Sequence, residues 1–232
     1  MGHIAENIKE LSERIGAITS KMRDQGQSVL LVAVTKTRTP MEINAAIDAG
    51  ITDIGENKVQ EILDKYDMVK PVRWHMIGHL QTNKVKYIID KVKMIQSVDT
   101  FKLACEIDKR AGQAGIIMDI LVQINEANEE TKFGIAAGAS EDLIHQILDG
   151  CPHIRIKGLM FIAPFENNPE EVRDYFKRVH QQYETFSRIA HQNLSFEHLS
   201  MGMSQDYEVA ITEGSNLIRI GTAIFGDRNY PQ

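Results

Sequence analysis

The sequence predicts an α/β protein whose strands close into a (β/α)8 barrel, the TIM barrel fold, with one extra helix at the N-terminus. Strand-like segments alternate with helix-like segments along the whole chain, and eight such units fit within 232 residues. Neither a Pro/Ser-rich linker nor a shift in composition divides the chain, so we expect residues 1–232 to form a single domain. A doubly wound open sheet is the competing fold, but no GxGxxG motif follows a predicted strand.

The extra helix and the first strand are predicted by two different apolar patterns, one periodic and one continuous. Apolar residues recur every three or four positions at Ile4, Ile8, Leu11, Ile15, Ile18 and Met22. This spacing is typical of a helix with one buried face, and we expect the helix to end near Gly26. The VLLVAV run at 29–34 is apolar on both faces, which indicates a strand covered on both sides.

Two helices are predicted by the same N-terminal signal, a capping side chain followed by proline and an acid. TPME at 39–42 should begin a helix that ends at Gly50. NPEE at 168–171 should begin a long helix that reaches about Ala190.

The remaining elements complete the alternation. Strands are predicted at 52–54, 72–77, 93–98, 116–124, 154–159, 196–199 and 217–220. Helices are predicted at 57–66, from about 83, at 100–111, at 140–148 with Ser140 as its N-cap, and at 204–211.

Composition and charge exclude several functional classes. The net charge of −6 offers no bulk attraction to nucleic acid or to an anionic membrane. The longest apolar runs are much shorter than the ~20 residues of a membrane-spanning helix, and the N-terminus lacks a secretory signal pattern. We therefore expect a cytoplasmic monomer. The two cysteines, Cys105 and Cys151, form neither a CxxC motif nor a Cys/His cluster, so we expect structural thiols.

Lys36 is the first candidate functional residue, because the functional face of a barrel lies at the carboxyl ends of its strands. It follows the apolar run VLLVAV by two positions. An amine held against apolar walls loses hydration, which lowers its pKa and makes it a better nucleophile for an aldehyde. The alternative is an ordinary solvated lysine in a loop.

Two further strand ends carry polar residues. Asn57 follows the second strand, where it is either a site residue or a helix cap. His75 and His79 flank the end of the third strand, but they lack the spacing of a metal motif. We therefore expect packed or surface histidines and no metal site.

The last two strands end in residues suited to phosphate. HLSMGMS at 198–204 joins a strand to a short helix, and Gly221 and Thr222 follow the final strand. Glycine permits close approach, and N–H groups and hydroxyls bind phosphate oxygens, as in many barrels after strands seven and eight. Arg219 alternates with apolar neighbours, so it needs either an anionic ligand or a salt bridge at the barrel end.

Six segments together resemble a known family, the pyridoxal phosphate homeostasis proteins (the YggS/PROSC family). The segments are VAVTKT at 32–37, GENKVQE at 55–61, HMIGHLQTNK at 75–84, QINEANEETKFGI at 123–135, LSMGMSQDYEVAI at 199–211 and RIGTAIFG at 219–226. Each segment alone is a weak signal, but six in order at matching spacing are specific, and they cover essentially the whole chain.

The resemblance implies a barrel like the N-terminal domain of alanine racemase (PLP fold type III), which binds pyridoxal 5′-phosphate (PLP) at its mouth. Lys36 matches the lysine that forms the Schiff base with PLP. Arg219 matches the family's partner of the pyridine nitrogen.

Further cofactor contacts are implied by the same matching. Ser200, Gly221 and Thr222 match the phosphate contacts, with the Met201 amide as an additional donor. Asn57 matches a polar residue beside the cofactor ring. The resemblance implies no catalytic residue.

An arginine beside the ring bears on the chemistry. PLP is a strong electron sink when its pyridine nitrogen is protonated, and a guanidinium disfavours that state. Arg219 should therefore weaken carbanion chemistry. Alanine racemase has such an arginine, but it adds a second domain whose tyrosine, from the other subunit, acts as a base. Only ten residues follow Thr222 here, so we expect no such domain.

Three functional hypotheses follow. The first is a PLP-binding protein of vitamin B6 homeostasis, without established catalysis, that buffers PLP or delivers it to PLP-dependent apo-enzymes. The second is a small single-domain PLP-dependent amino-acid racemase or lyase. The third is a cofactor-free barrel enzyme that uses Lys36 to form a Schiff base with a sugar phosphate.

Overall fold

The N-terminal helix α1 spans Gly2–Thr19 in the computed structural model, which describes residues 2–22, 28–127 and 133–227. Its apolar stripe faces the body of the protein, with Ile4, Ile8 and Leu11 buried. Asn7 Nδ2 donates a hydrogen bond of 2.9 Å to the carbonyl oxygen of Ile224 near the other end of the chain. The predicted helix end at Gly26 lies outside the described residues.

The strands form a closed parallel barrel, which confirms the predicted fold class. Their bounds are β1 Leu30–Val34, β2 Asp53–Glu56, β3 Arg73–Met76, β4 Met94–Val98, β5 Met118–Asn125, β6 Ile135–Ala136, β7 Ile154–Phe161, β8 Leu194–Ser200 and β9 Leu217–Ile220. The barrel order is β4-β3-β2-β1-β9-β8-β7-β5, and pairing of β4 with β5 closes it. The two-residue strand β6 adds to β5 outside this ring, and it is too short to have been predicted from periodicity.

The helices surround the barrel. They are α2 Pro40–Asp48, α3 Val59–Lys65, α4 Phe101–Ala114, α5 Ser140–Gly150, α6 Arg173–Phe186, α7 Tyr207–Thr212 and α8 Thr222–Phe225. The predicted start of α2 is confirmed, because the Thr39 hydroxyl accepts from the Glu42 amide and the Glu42 carboxylate accepts from the Thr39 amide. Helix α8 was not predicted, since it is a single turn.

Three helix predictions need correction. The segment Thr82–Tyr87 is a 3-10 helix, and Val85 is its one buried residue, too little apolar surface to support an α-helix. NPEE begins a 3-10 turn at Pro169–Val172, and the α-helix that follows ends at Phe186 rather than about Ala190. Ser140 is the first residue of α5 rather than its cap, because its hydroxyl donates to the Ala137 carbonyl at 2.6 Å.

Gly158 shows where the barrel requires glycine. It lies at the register shift between β7 and β8, with a φ of 141°, and a Cβ there would be 1.8 Å from the His198 carbonyl oxygen. The two strands therefore approach more closely at this point than any other residue allows.

Three expectations from the sequence concern membrane-spanning helices, metal sites and the two cysteines. In the ranges 2–22, 28–127 and 133–227, no helix combines the length and the apolar character that crossing a bilayer requires. The same ranges contain no group of three or more His, Cys, Asp or Glu side chains placed to hold a metal ion. Cys105 is exposed and Cys151 is buried, and both are free thiols. Burial, with Cys105 nearby, raises the pKa of Cys151 to about 12.

Candidate functional site

A cavity of about 470 Å³ opens at the carboxyl ends of the strands, between the segments that follow β1, β7, β8 and β9. Four residues predicted from the sequence line it, namely Lys36, Arg219, Gly221 and Thr222. They come from opposite ends of the chain and meet because β1 pairs with β9, with Val32 opposite Arg219. The fold therefore brings a primary amine, a guanidinium, and a glycine and hydroxyl together at one cavity.

The turn that carries Lys36 has an unusual backbone. Thr37 has a φ of 64°, which lies in the left-handed region that a β-branched residue rarely adopts. The Thr37 amide donates to Glu61 Oε2 at 2.7 Å, and the Thr35 carbonyl accepts from Lys65 Nζ at 3.0 Å. Two residues of α3 thus hold the backbone on both sides of Lys36, and this support offsets the strain at Thr37.

A buried ionic cluster stands behind this turn. Lys65 Nζ lies 2.8 Å from Glu56 Oε1 and 2.7 Å from Glu61 Oε2, and the Thr35 hydroxyl also donates to Glu56 Oε1 at 2.8 Å. Burial raises the pKa of Glu56 despite these partners. Burial acts on Glu61 in the same sense, but hydrogen bonds from Lys65 and from the Thr37 amide outweigh it and lower the Glu61 pKa.

The strain at Thr37 gives a prediction. Asparagine tolerates the left-handed conformation better than threonine does, so Thr37→Asn should stabilise the protein without bound ligand by about 1 kcal/mol. Urea unfolding of the two proteins measures this difference. The same change at Thr185 in α6 should give no gain, and a destabilised Thr37→Asn protein would show that the threonine side chain, not the backbone, is what matters there.

Arg219 is buried at the floor of the cavity, with 3% of its surface exposed. Its Nη1 donates to Ser200 Oγ, and its Nη2 donates to the Phe161 carbonyl oxygen at 2.9 Å. Burial lowers the pKa of Arg219 to about 10, and the charge of Asp206 acts in the opposite direction. The guanidinium is still a cation at neutral pH, so an acceptor or an anion entering the cavity would relieve its lost hydration.

The segment after β8 turns sharply beside Gly221 and Thr222. Gly202 has a φ of 96°, and a Cβ there would be 2.7 Å from the Ala210 Cβ, so the turn requires glycine. The Ser204 hydroxyl accepts from the Gly221 amide at 3.3 Å and from the Ala223 amide at 3.4 Å. These long bonds leave amide and hydroxyl donors at the cavity wall, as suits a phosphate.

The same segment contains a buried acid. Asp206 Oδ1 accepts from the Met203 amide at 2.6 Å, which closes the turn that presents Ser204. Burial raises the pKa of Asp206 above its ordinary value, although the Met203 amide and Arg219 both act to lower it. The acid is therefore a fixed part of the cavity wall.

The other three predicted residues do not line the cavity. The Ser200 hydroxyl is fully buried beneath Arg219, and Met201 is also fully buried. Asn57 does not cap α3, because Lys58 occupies the N-cap position, and the buried Asn57 Oδ1 atom has no hydrogen-bond partner among the residues that the structure describes. The roles of Asn57, Ser200 and Met201 in ligand binding stay predictions.

The structure adds residues that the sequence reasoning did not single out. Ser204 and Asp206 line the cavity, and both lie in the LSMGMSQDYEVAI segment, so the signal was present. Phe165 also lines it and is 74% exposed, but no pattern marks the loop after β7. His75 is buried and bonded to Asp53, whereas His79 is exposed and stacks on Phe133 with ring centroids 3.9 Å apart.

The barrel and its cavity match a known class. A family model described as the N-terminal domain of alanine racemase matches residues 2–229, and this defines the chain as a barrel of that class. The pyridoxal phosphate homeostasis protein of Aquifex aeolicus is 41% identical over 99% of this chain and 97% of the relative. The protein of the same name from Escherichia coli K12 is 34% identical over 99% of both chains. The chain belongs to the pyridoxal phosphate homeostasis protein family.

Solved structures agree with this assignment. PipY of Synechococcus elongatus PCC7942, solved with PLP bound, is 30% identical, with a TM-score of 0.79 over 92% of this chain and 99% of PipY. A protein of unknown function from Bifidobacterium adolescentis gives a TM-score of 0.90 at 33% identity, over 96% of this chain and 94% of the other. D-threonine aldolase from Filomicrobium marinum, at 15% identity, shares the fold, and this chain covers 63% of it.

Proposed function

We propose that the chain binds PLP in this cavity and holds it through a Schiff base on Lys36. The single observation that carries the proposal is that Lys36 and Arg219 line one cavity with Gly221, Thr222 and Ser204. This donor set fits PLP: an amine for the aldehyde, a cation for the pyridine nitrogen, and amide and hydroxyl groups for the phosphate. That PipY was solved with PLP bound supports PLP as the ligand.

The chemistry of Arg219 supports binding without turnover. Bound PLP supplies a reactive aldehyde and a ring that accepts electrons when its nitrogen is protonated. A guanidinium can only donate hydrogen bonds, so the nitrogen facing Arg219 has to accept one and remain unprotonated. Arg219 thus weakens the ring as an electron sink and favours a store of PLP over a catalyst.

The cellular role follows as part of the proposal. The chain, acting as one cytoplasmic barrel domain and as a monomer, buffers PLP within vitamin B6 homeostasis and delivers it to PLP-dependent apo-enzymes. The names of the relatives support the part of this role that concerns PLP homeostasis.

The proposal is tested by the visible spectrum of purified protein mixed with PLP. A lysine Schiff base gives a visible absorbance band, which borohydride reduction removes while fixing the adduct to the peptide that contains Lys36, as read by mass spectrometry. Colourless protein after PLP addition would contradict the proposal and favour the third hypothesis, a barrel enzyme that uses no cofactor. Sustained racemisation or decarboxylation of L-amino acids, above the rate with free PLP, would replace the storage role with the racemase or lyase.

Thr222 provides a graded test of the phosphate side. Thr222→Ala removes one hydroxyl at the cavity, so PLP should be held more weakly by about 1 to 3 kcal/mol while the visible band still forms at high PLP concentration. The PLP dissociation constant measures the loss. The control is Thr185→Ala, because Thr185 is exposed in α6 and does not line the cavity. Equal dissociation constants for the two variants would mean that the phosphate binds elsewhere.

A further inference from the structure

A continuous row of buried polar side chains crosses the barrel interior from Arg219 to the opposite end. Arg219 Nη1 bonds to Ser200 Oγ, which lies 2.7 Å from Gln96 Oε1. Gln96 Nε2 lies 3.0 Å from His75 Nδ1, and His75 Nε2 lies 2.9 Å from Asp53 Oδ1. The five residues belong to β9, β8, β4, β3 and β2, and none is more than 3% exposed.

The charges at the two ends of this row, together with the orientation of the Gln96 amide, give the direction of its hydrogen bonds. A guanidinium can only donate, and an ionised carboxylate can only accept. Burial would raise the pKa of Asp53, but hydrogen bonds from His75, Arg73 and Thr52 outweigh it and hold that pKa well below its ordinary value. Asp53 is therefore ionised and accepts from His75 Nε2, and because the amide nitrogen of Gln96 faces His75, the ring accepts from Gln96 at Nδ1.

The same assignment of donors and acceptors continues along the row to Arg219. With its amide hydrogen directed at His75, Gln96 presents Oε1 to Ser200, so the single hydroxyl hydrogen of Ser200 goes to Gln96. The lone pairs of Ser200 Oγ are then turned toward Arg219. Both hydrogen-bond acceptors that hold Arg219 in the described residues, Ser200 Oγ and the Phe161 carbonyl, are neutral, and one of the two belongs to the row, so the row helps to set the orientation of the guanidinium.

We propose that Gln96, His75 and Asp53 are positioning residues that hold the Arg219 guanidinium toward the pyridine nitrogen of bound PLP. This inference rests on the proposed function. None of the three residues lines the cavity, so they act through Ser200. Without the row, the Ser200 hydroxyl is free to rotate and donate elsewhere, and Arg219 loses one of its two fixed acceptors.

The first experiment needs no cofactor. Nitrogen-15 NMR of the protein without PLP reports which nitrogen of His75 carries its hydrogen. The row requires a neutral ring with the hydrogen on Nε2 at neutral pH. A doubly protonated ring, or a hydrogen on Nδ1, would overturn the inference.

The second experiment compares two buried glutamines. Gln96→Met breaks the row at its centre, whereas Gln123→Met removes a buried amide that donates to the Phe133 carbonyl and lies outside the row. We expect Gln96→Met to release PLP about tenfold faster and to change the pH dependence of its visible band, since a hydrogen bond to a charged group is weakened. Gln123→Met should match the unaltered protein in both.

The outcomes separate this inference from the proposed function. No visible band with the unaltered protein contradicts the proposed function itself. If the unaltered protein forms the band and Gln96→Met matches Gln123→Met in release rate and pH profile, the positioning role is wrong, even if Gln96→Met lowers the melting temperature. A lower melting temperature alone shows only that the row stabilises the core.

Discussion

Replacing Lys36 with alanine will abolish covalent attachment of PLP while leaving the fold intact. Lys36 is the proposed site of the Schiff base, and alanine has no amine with which to form one. It lies in the turn after β1, outside the buried core, so its loss removes little apolar packing. The visible band should therefore disappear at every PLP concentration. The melting temperature of the PLP-free protein should change by no more than a few degrees, which corresponds to a change of about 1 kcal/mol or less in the free energy of unfolding.

A second lysine near the barrel mouth provides the control. Lys58 is exposed at the start of α3, and Lys58→Ala should keep the band and the borohydride-stable adduct. If Lys36→Ala still forms that adduct, another amine holds PLP. A large fall in melting temperature for PLP-free Lys36→Ala would instead show that Lys36 is part of the structural network, and the loss of binding would then have a different cause.

Replacing Lys65 with methionine will produce the largest loss of stability. Lys65 is the cation shared by Glu56 and Glu61, and its side chain is 10% exposed. Removing one member of a buried ionic cluster leaves charge without compensation, which costs about 3 to 5 kcal/mol. Urea unfolding of the PLP-free protein at neutral pH measures the loss. Because Lys65 also holds the Thr35 carbonyl, PLP retention should fall as well.

The effect of Lys65→Met should depend on pH. In the unaltered protein the Glu61 pKa is lowered, so its contribution to stability is present above the ordinary carboxyl pKa and is lost as the pH falls. Without Lys65 the pKa values of both acids rise, so the penalty is largest at neutral pH and is relieved by protonation as the pH approaches that of ordinary carboxyls. The difference between the two proteins should be smaller at about pH 5 than at neutral pH.

An exposed lysine tests whether burial causes the loss of stability expected for Lys65→Met. Lys70 pairs with Asp48 at 2.5 Å, but the two side chains are 51% and 61% exposed. Lys70→Met should therefore cost about 1 kcal/mol or less at either pH. Equal losses for Lys65→Met and Lys70→Met, or a Lys65→Met loss that does not vary with pH, would contradict the account of a buried cluster.

The fold could be predicted from the sequence because its signals are local. The two-sided apolar runs and the capping residues at Thr39 depend on neighbours in the chain, and they placed eight strands in order. The errors occurred at helix ends and in short segments. Ser140 has the residue type of a cap, but its hydroxyl bonds to Ala137, and Thr82–Tyr87 buries too little to extend beyond a 3-10 helix.

The candidate site could be predicted only in part. Lys36, Arg219 and Thr222 end strands, so the barrel rule places them at one face. The partners behind them could not be found in this way. Asp53, the carboxylate partner of His75, lies 22 residues away along the chain, and only the neighbouring strands β2 and β3 bring the two together. Strand register, which sequence periodicity does not specify, determines such pairs.

The pairing of β1 with β9 has a consequence for protein synthesis. The amine of Lys36 leaves the ribosome long before the guanidinium of Arg219 and the loop with Gly221 are made. A nascent chain therefore carries Lys36 for a time without the residues that complete the cavity. On the proposed function, PLP can therefore be held at the barrel mouth only after β9 has left the ribosome and docked against β1, so PLP binding would distinguish a folded barrel from a nascent one.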